Sequence, residues 1–304
     1  MRLCRYGLPR EARLAVLRAV LLVLAFVVFL CIGIPAQSLA ARLRRPARVD
    51  PSVVFCRVLI RVLRVKISVS GAACSSRPLL LAANHVSWID VLALGSLSGF
   101  SFLAKREVGS WPLIGAIARQ QGTVFVDRKR RRSIPAANAA MAERMLEGRR
   151  VLLFPEGTTG DGRALGAFRS SHFASARDLL AGAVEVEDVA VQPVAICYSA
   201  LSAAWLGDAA LLPHLWQVLT GEPLRCKIIF GAPLRFARGA DRKIIAREAG
   251  SRVAHMLAAS PALAASVQGR TLEAARTPAK PVADPASNAE ESGAGRREQA
   301  WAEE

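Results

Sequence analysis

The sequence is poor in several features on which whole function classes depend. Aromatic residues make up only 6% of its 304 positions, two of them tyrosines, too few for the repeated stacking platforms of single-strand nucleic-acid binders. The six cysteines (Cys4, Cys31, Cys56, Cys74, Cys197, Cys226) include no Cys-x-x-Cys pair. Neither a zinc site nor a disulfide framework is therefore indicated, and reduced thiols are expected. No serine or cysteine stands in a Gly-x-Ser-x-Gly elbow, so an activated protein nucleophile is not suggested. Acidic residues are scarce, 24 against 41 Lys and Arg, for a formal charge of +17. No internal repeat is visible, which sets solenoids aside.

What is present points to a lipid surface. Hydrophobic residues reach 52% and mean hydropathy is +0.29, high for a freely soluble chain. An excess of positive charge predicts an anionic partner, lipid headgroups or nucleic acid. Residues 19–41 carry no charge and as a helix reach roughly 30 Å, long enough to span a bilayer. A secretory signal peptide is the rival reading, but the run exceeds the usual apolar core of one. Arginines flank it on both sides (Arg10, Arg13 and Arg18 before, Arg42 and Arg44 after), so orientation does not follow from charge. Residues 52–65 place Arg57, Arg61 and Arg64 at helical spacing among Val, Leu, Ile and Phe. That is either a basic amphipathic helix on an anionic bilayer or a core helix with one solvated side. The division expected is an anchor with basic flanks over 1–50, a catalytic-sized domain over 51–264 and a disordered tail over 265–304, rich in Ala, Pro, Glu and Ser.

Between the anchor and the tail, short β-rich runs alternate with helical ones. Strands are expected at 65–69, 79–83, 100–104, 123–126, 151–154, 189–197 and 226–230, with helices near 86–97, 111–120, 135–148, 173–180 and 241–259. This is an α/β pattern: a mixed, largely parallel sheet flanked by helices. Polar residues cluster where the strands end, where open α/β sheets hold their ligands.

Four clusters stand out. The first, residues 84–90 (Asn-His-Val-Ser-Trp-Ile-Asp), follows an apolar strand. His85 and Asp90, five apart, lie about 140° apart on a straight helix, so they meet only if a turn bends the chain between them. A carboxylate so placed fixes the imidazole tautomer and leaves the other ring nitrogen free to take a proton from a substrate hydroxyl. A chance spacing is the plain alternative. The second cluster joins Lys105, Arg106 and residues 111–115 to Arg128, basic groups after strands that suit a phosphate; Lys129 to Arg132 read as a solvated block. The third is Glu156-Gly157-Thr158-Thr159, whose glycine lets backbone amides approach an oxyanion, or is an ordinary turn. In the fourth, residues 191–195, Pro193 suggests an edge strand or bulge. His172 and His214 are assigned to packing or surface roles, since no carboxylate follows either at the required spacing.

In this order and spacing the four clusters, spanning 79–195, resemble the glycerolipid acyltransferase family, including bacterial 1-acylglycerol-3-phosphate acyltransferases. The resemblance implies transfer of a fatty acyl group from coenzyme A or acyl carrier protein to a lysolipid hydroxyl, with no resident cofactor or metal. It makes His85 the general base and Asp90 its orienting partner. Arg128, Glu156, Gly157 and Thr158 bind the acceptor head, with Lys105 nearby. Many phosphatidate-forming members carry Glu-Gly-Thr-Arg in the third motif, whereas Thr159 stands here in place of that arginine, with Arg163 and Arg169 as the available substitutes. The 156–162 run, with Trp205, Gly207 and Asp208 and then residues 213–216 (Pro-His-Leu-Trp), looks like lyso-ornithine lipid acyltransferases.

The leading expectation is a membrane-bound lysolipid O-acyltransferase making phosphatidate from 1-acylglycerol 3-phosphate on the cytoplasmic face of a bacterial inner membrane. Its alternatives are acylation of lyso-ornithine lipid, and a non-catalytic basic module for membrane or nucleic acid. Nucleic acid is not the expected partner.

Overall fold

The structure is a computed structural model that describes residues 10–43, 50–111, 114–127, 130 and 132–260. The expected tail and one site residue, Arg128, lie outside the described residues. In chain order the elements are α1 (Arg10–Val28), running through a π-helical turn (Phe29–Gly33) into α2 (Ile34–Arg42), then α3 (Pro51–Val62), β1 (Val65–Ser70), β2 (Leu79–Ala83) and α4 (Ile89–Gly95). There follow β3 (Phe100–Lys105), α5 (Arg106–Ser110), α6 (Ile114–Gln120), β4 (Val124–Val126), α7 (Ser133–Leu146) and β5 (Arg150–Leu153). The chain closes with α8 (Ala174–Gly182), β6 (Asp188–Tyr198), α9 (Leu211–Thr220), β7 (Leu224–Phe230), β8 (Leu234–Ala237) and α10 (Arg242–Ala258).

The strands form one sheet in the order β1-β7-β6-β2-β5-β3-β4, with β8 also on β6. Every pairing is parallel except β6 with β7 and β6 with β8. The period-2 alternation of β2 explains its central place: Leu79, Leu81 and Ala83 face one core and Leu80 and Ala82 the other, so both faces must be covered. The first core includes residues of α1, α3, α4 and α9, the second residues of α7, α8 and α10.

Pro193 overturns the edge-strand half of its expectation, because it lies in a central strand. β6 pairs on one side with β2 through 190–194 and on the other with β8 through 188–191 and then β7 through 194–198. The proline stands in the gap between those last two ladders, where no partner asks for its N–H.

Helix α3 begins where Asp50 accepts from the Ser52 amide at 2.8 Å, with Pro51 in the first turn. Its Val53, Phe55, Cys56, Leu59 and Ile60 are buried, while Arg57 and Arg61 are exposed. Arg64 does not join that basic face. The helix has ended before it, its φ is +57°, and its guanidinium donates to the Gly221 carbonyl. The 31-residue helical segment Arg10–Ala40 is long and apolar enough to cross a membrane, while Ala15, Leu22 and Phe29 turn inward. Phe29 stacks on Phe55 of α3 at 4.4 Å.

Candidate active site

Because β2, β3, β4, β5 and β6 run parallel, their C-terminal ends lie on one edge of the sheet. Asn84 continues the β2–β6 ladder with its side chain. Its Nδ2 donates to the Ile196 carbonyl at 2.9 Å and its Oδ1 accepts from the Ile196 amide at 2.7 Å. The chain then turns through residues 85–88 and enters α4 at Ile89, three residues later than the expected start. The turn that brings His85 back to Asp90 occupies the difference.

Asp90 Oδ2 accepts from His85 Nδ1 at 2.8 Å and from the amides of Val86 and Ser87 at 2.7 and 2.9 Å. Its Oδ1 accepts from the Tyr198 hydroxyl at 2.7 Å. Four donors converge on this fully buried side chain. Oδ2 accepts from two amides that can only donate, so it accepts from the ring as well: Nδ1 of His85 carries the proton and Nε2 is the ring's acceptor. The same acid also satisfies amides at the entrance to α4 and complements the helix dipole. The His85 ring stacks on Phe154 at 3.9 Å and 13°, and its side chain is 18% exposed, leaving one edge open to solvent.

The backbone of His85 is gripped as well. Its amide donates to Glu156 Oε1 at 2.7 Å, Glu156 Oε2 accepts from the Gly166 amide at 2.7 Å, and the His85 carbonyl accepts from the Gly160 amide at 2.8 Å. Glu156 is buried, and burial pushes its carboxyl above the ordinary value while the two amides pull it back. The structure therefore gives Glu156 a different place from the head-binding role that the resemblance implies: both its oxygens are engaged by backbone. Gly157 has φ +78°, a conformation that favours glycine, and the Arg169 guanidinium reaches within 3.2 Å of where a β-carbon on it would lie. Thr158 is exposed on the same turn. Thr159 donates its hydroxyl to the Trp205 carbonyl, and the Trp205 amide donates to the Val86 carbonyl at 3.0 Å.

Lys105 is not brought to His85. It is exposed at the end of β3, two strands from β2 in the order β2-β5-β3, about 10 Å sideways at the usual strand spacing. It adjoins a groove of about 420 Å³ lined by Arg106, Glu107, Ser110, Arg119 and Phe125. The cleft at His85 is tighter, with essentially no room for a water molecule, and is lined by Asn84, Val86, Glu156, Gly160, Leu165 and Leu257 among others.

Tyr198 and His214 are the site residues that sequence reasoning missed or placed only as packing. Tyr198 ends β6, and burial followed by the Asp90 charge raises its phenol well above 10.0, so it stays a donor. His214 is buried; Trp88 Nε1 donates to its Nδ1 at 2.9 Å and its Nε2 lies 3.0 Å from the Ala204 carbonyl. An indole only donates and a carbonyl only accepts, so His214 is neutral with its proton on Nε2. His172 lies 3.1 Å from Asn138 Oδ1, away from this cluster.

An imidazole oriented by a buried carboxylate at the strand ends of an α/β sheet is an arrangement that can take a proton from a substrate hydroxyl. An acyltransferase family model matches residues 64–197. The lyso-ornithine lipid O-acyltransferase of Rhizobium meliloti is 40% identical over 215 residues, 66% of this chain and 72% of that protein. That of Brucella abortus is 34% identical over 252 residues, 79% and 94% of the two chains. The 1-acyl-sn-glycerol-3-phosphate acyltransferase of Neisseria gonorrhoeae is 36% identical over 163 residues, 54% and 63%. The chain belongs to this glycerolipid acyltransferase family.

Proposed function

We propose that the protein is a membrane-bound lysolipid O-acyltransferase whose acceptor is lyso-ornithine lipid. His85 Nε2 takes the proton of the acceptor hydroxyl as the oxygen attacks the thioester carbon of acyl-CoA or acyl carrier protein. The carbon–sulfur bond then breaks, and the imidazolium returns the proton to the departing sulfur. Asp90 holds the ring in the accepting tautomer and stabilises its charged form. No covalent protein intermediate is required.

The observation that carries the choice of acceptor is the engagement of Thr159 with the Trp205 carbonyl. Where many phosphatidate-forming members place a guanidinium, this chain places a hydroxyl that braces the His85 loop. The two lyso-ornithine lipid enzymes above also overlap this chain further than the phosphate enzyme does. The phosphate acceptor, the leading expectation from sequence, is the second reading, favoured by the Arg169 guanidinium beside Gly157. Thr158, Gly157 and Arg169 are the head-group contacts on either reading, with Lys105 further along the edge and Arg128 added from the sequence alone. The cleft at His85 encloses no space of small-molecule size, which favours an acceptor whose chain stays in the bilayer. The anchor α1 inserts in the inner membrane, with the site on the cytoplasmic face that the donor reaches. Turnover of the purified protein on both acceptors with one acyl donor tests this: faster use of lyso-ornithine lipid supports it, and preference for 1-acylglycerol 3-phosphate overturns it.

A further inference from the structure

Helix α9 is out of character for the surface of this protein. Charged residues make up 21% of the chain, yet residues 209–221 contain none. Its inward side buries His214 and Val218, while Leu212 is 74% and Trp216 45% exposed on the opposite side, one helical turn apart. Leu201 and Leu206, on the segment leading into it, are exposed too. An uncharged helix whose outward face sets exposed Leu212 and Trp216 beside the neutral polar Gln217 and Thr220 suits the boundary between water and lipid better than open water.

Its neighbour says which. α9 packs against α1, and Arg18 of α1 donates to the Leu219 carbonyl at 2.8 Å, in the last turn of α9, where a cation complements the helix dipole. Arg18 is also the last charge before the uncharged run 19–41. The contact sets α9 at the level where α1 becomes wholly apolar, the boundary between headgroups and hydrocarbon, where tryptophan concentrates. The 201–220 segment is in turn bound to the catalytic loop through Trp88–His214 and Trp205–Val86.

We propose that α9 and the adjoining 201–210 segment form a bilayer-contacting surface, lying in the headgroup–acyl boundary beside α1 and holding the His85 loop at a fixed depth against the membrane. The occupant of the outward face of α9 is lipid, through Leu212 and Trp216. The inference rests on the reading of a membrane-bound enzyme, but its first test needs no acceptor and so fails separately from the choice of substrate.

The full chain is reconstituted in vesicles of phosphatidylcholine and phosphatidylglycerol with chains brominated near the headgroup or near the bilayer centre. Subtracting the Trp216→Phe spectrum from that of the unaltered protein isolates Trp216 emission. It is expected to be quenched, more by shallow than by deep bromines. Trp216 emission indifferent to brominated lipid, as it is if a second copy of the chain covers this face, overturns the proposal. Leu212→Asp, at a highly exposed position and so compatible with folding, gives the second test. Transfer to an acceptor in vesicles should fall about fivefold or more, with transfer in detergent micelles within about twofold of the unaltered protein. Equal effects in both settings contradict it.

Discussion

The Tyr198 hydroxyl and Asp90 Oδ1 lie 2.7 Å apart, joined from β6 and α4 across 108 positions of sequence. Through this bond the phenol draws on the same carboxylate that orients His85. Tyr198→Phe keeps the ring and removes the donor, leaving Oδ1 of a buried carboxylate without that partner. Unfolding free energy should fall by about 1–3 kcal/mol, with acyl transfer reduced because the side chain that orients His85 loses one of its four anchors. A lowered denaturant midpoint with transfer unchanged would assign Tyr198 to packing alone.

Glu156 holds two backbone amides with two oxygens. Glu156→Gln keeps the shape but turns one acceptor into an NH2 that opposes an N–H. A loss of about 1–3 kcal/mol in unfolding free energy is expected, with transfer reduced because the His85 backbone is released. Unchanged denaturant midpoints would refute the clamp.

How much of this was legible depended on sequence distance. The His85–Asp90 pair spans five residues, so a strand followed by a turn and a helix was enough to suggest it. The expected parallel strands were found with shifts of one or two residues at their ends, because apolar runs of four to eight residues carry that signal themselves. β8, with the alternating Leu-Arg-Phe-Ala of 234–237, was too short to register. α9 was passed over because Pro213 and an uncharged composition hide helical periodicity. Tyr198 carried no local signal: only the register of β6, which continues four residues beyond its last pairing with β2, delivers it to Asp90. The third motif looked like a ligand turn, and its carboxylate was found facing inward onto the catalytic loop.

Thr159→Arg supplies the guanidinium that the sequence resemblance places here in many phosphatidate-forming members, and breaks the bond to Trp205. The ratio of kcat/KM for 1-acylglycerol 3-phosphate over lyso-ornithine lipid should rise about tenfold or more. An unchanged ratio would separate this position from acceptor choice.

His214 is neutral where it meets Trp88, and burial lowers it from its ordinary 6.5. The unfolded chain therefore binds the proton more readily. The stability His214 contributes is complete above about 6.5 and is lost as pH falls from there toward the folded value. In detergent, the Tm of the unaltered protein should fall more steeply over that interval than that of His214→Asn, which keeps an acceptor for the indole without titrating. Parallel curves would contradict the neutral assignment.

The central claim is that His85 Nε2 removes the proton of a lipid hydroxyl. The most direct measurement is acyl transfer by His85→Ala in vesicles, with membrane retention and circular dichroism recorded on the same sample. The account predicts that transfer falls by about 10³-fold or more while retention and helix content stay unchanged; transfer at the unaltered rate would contradict it.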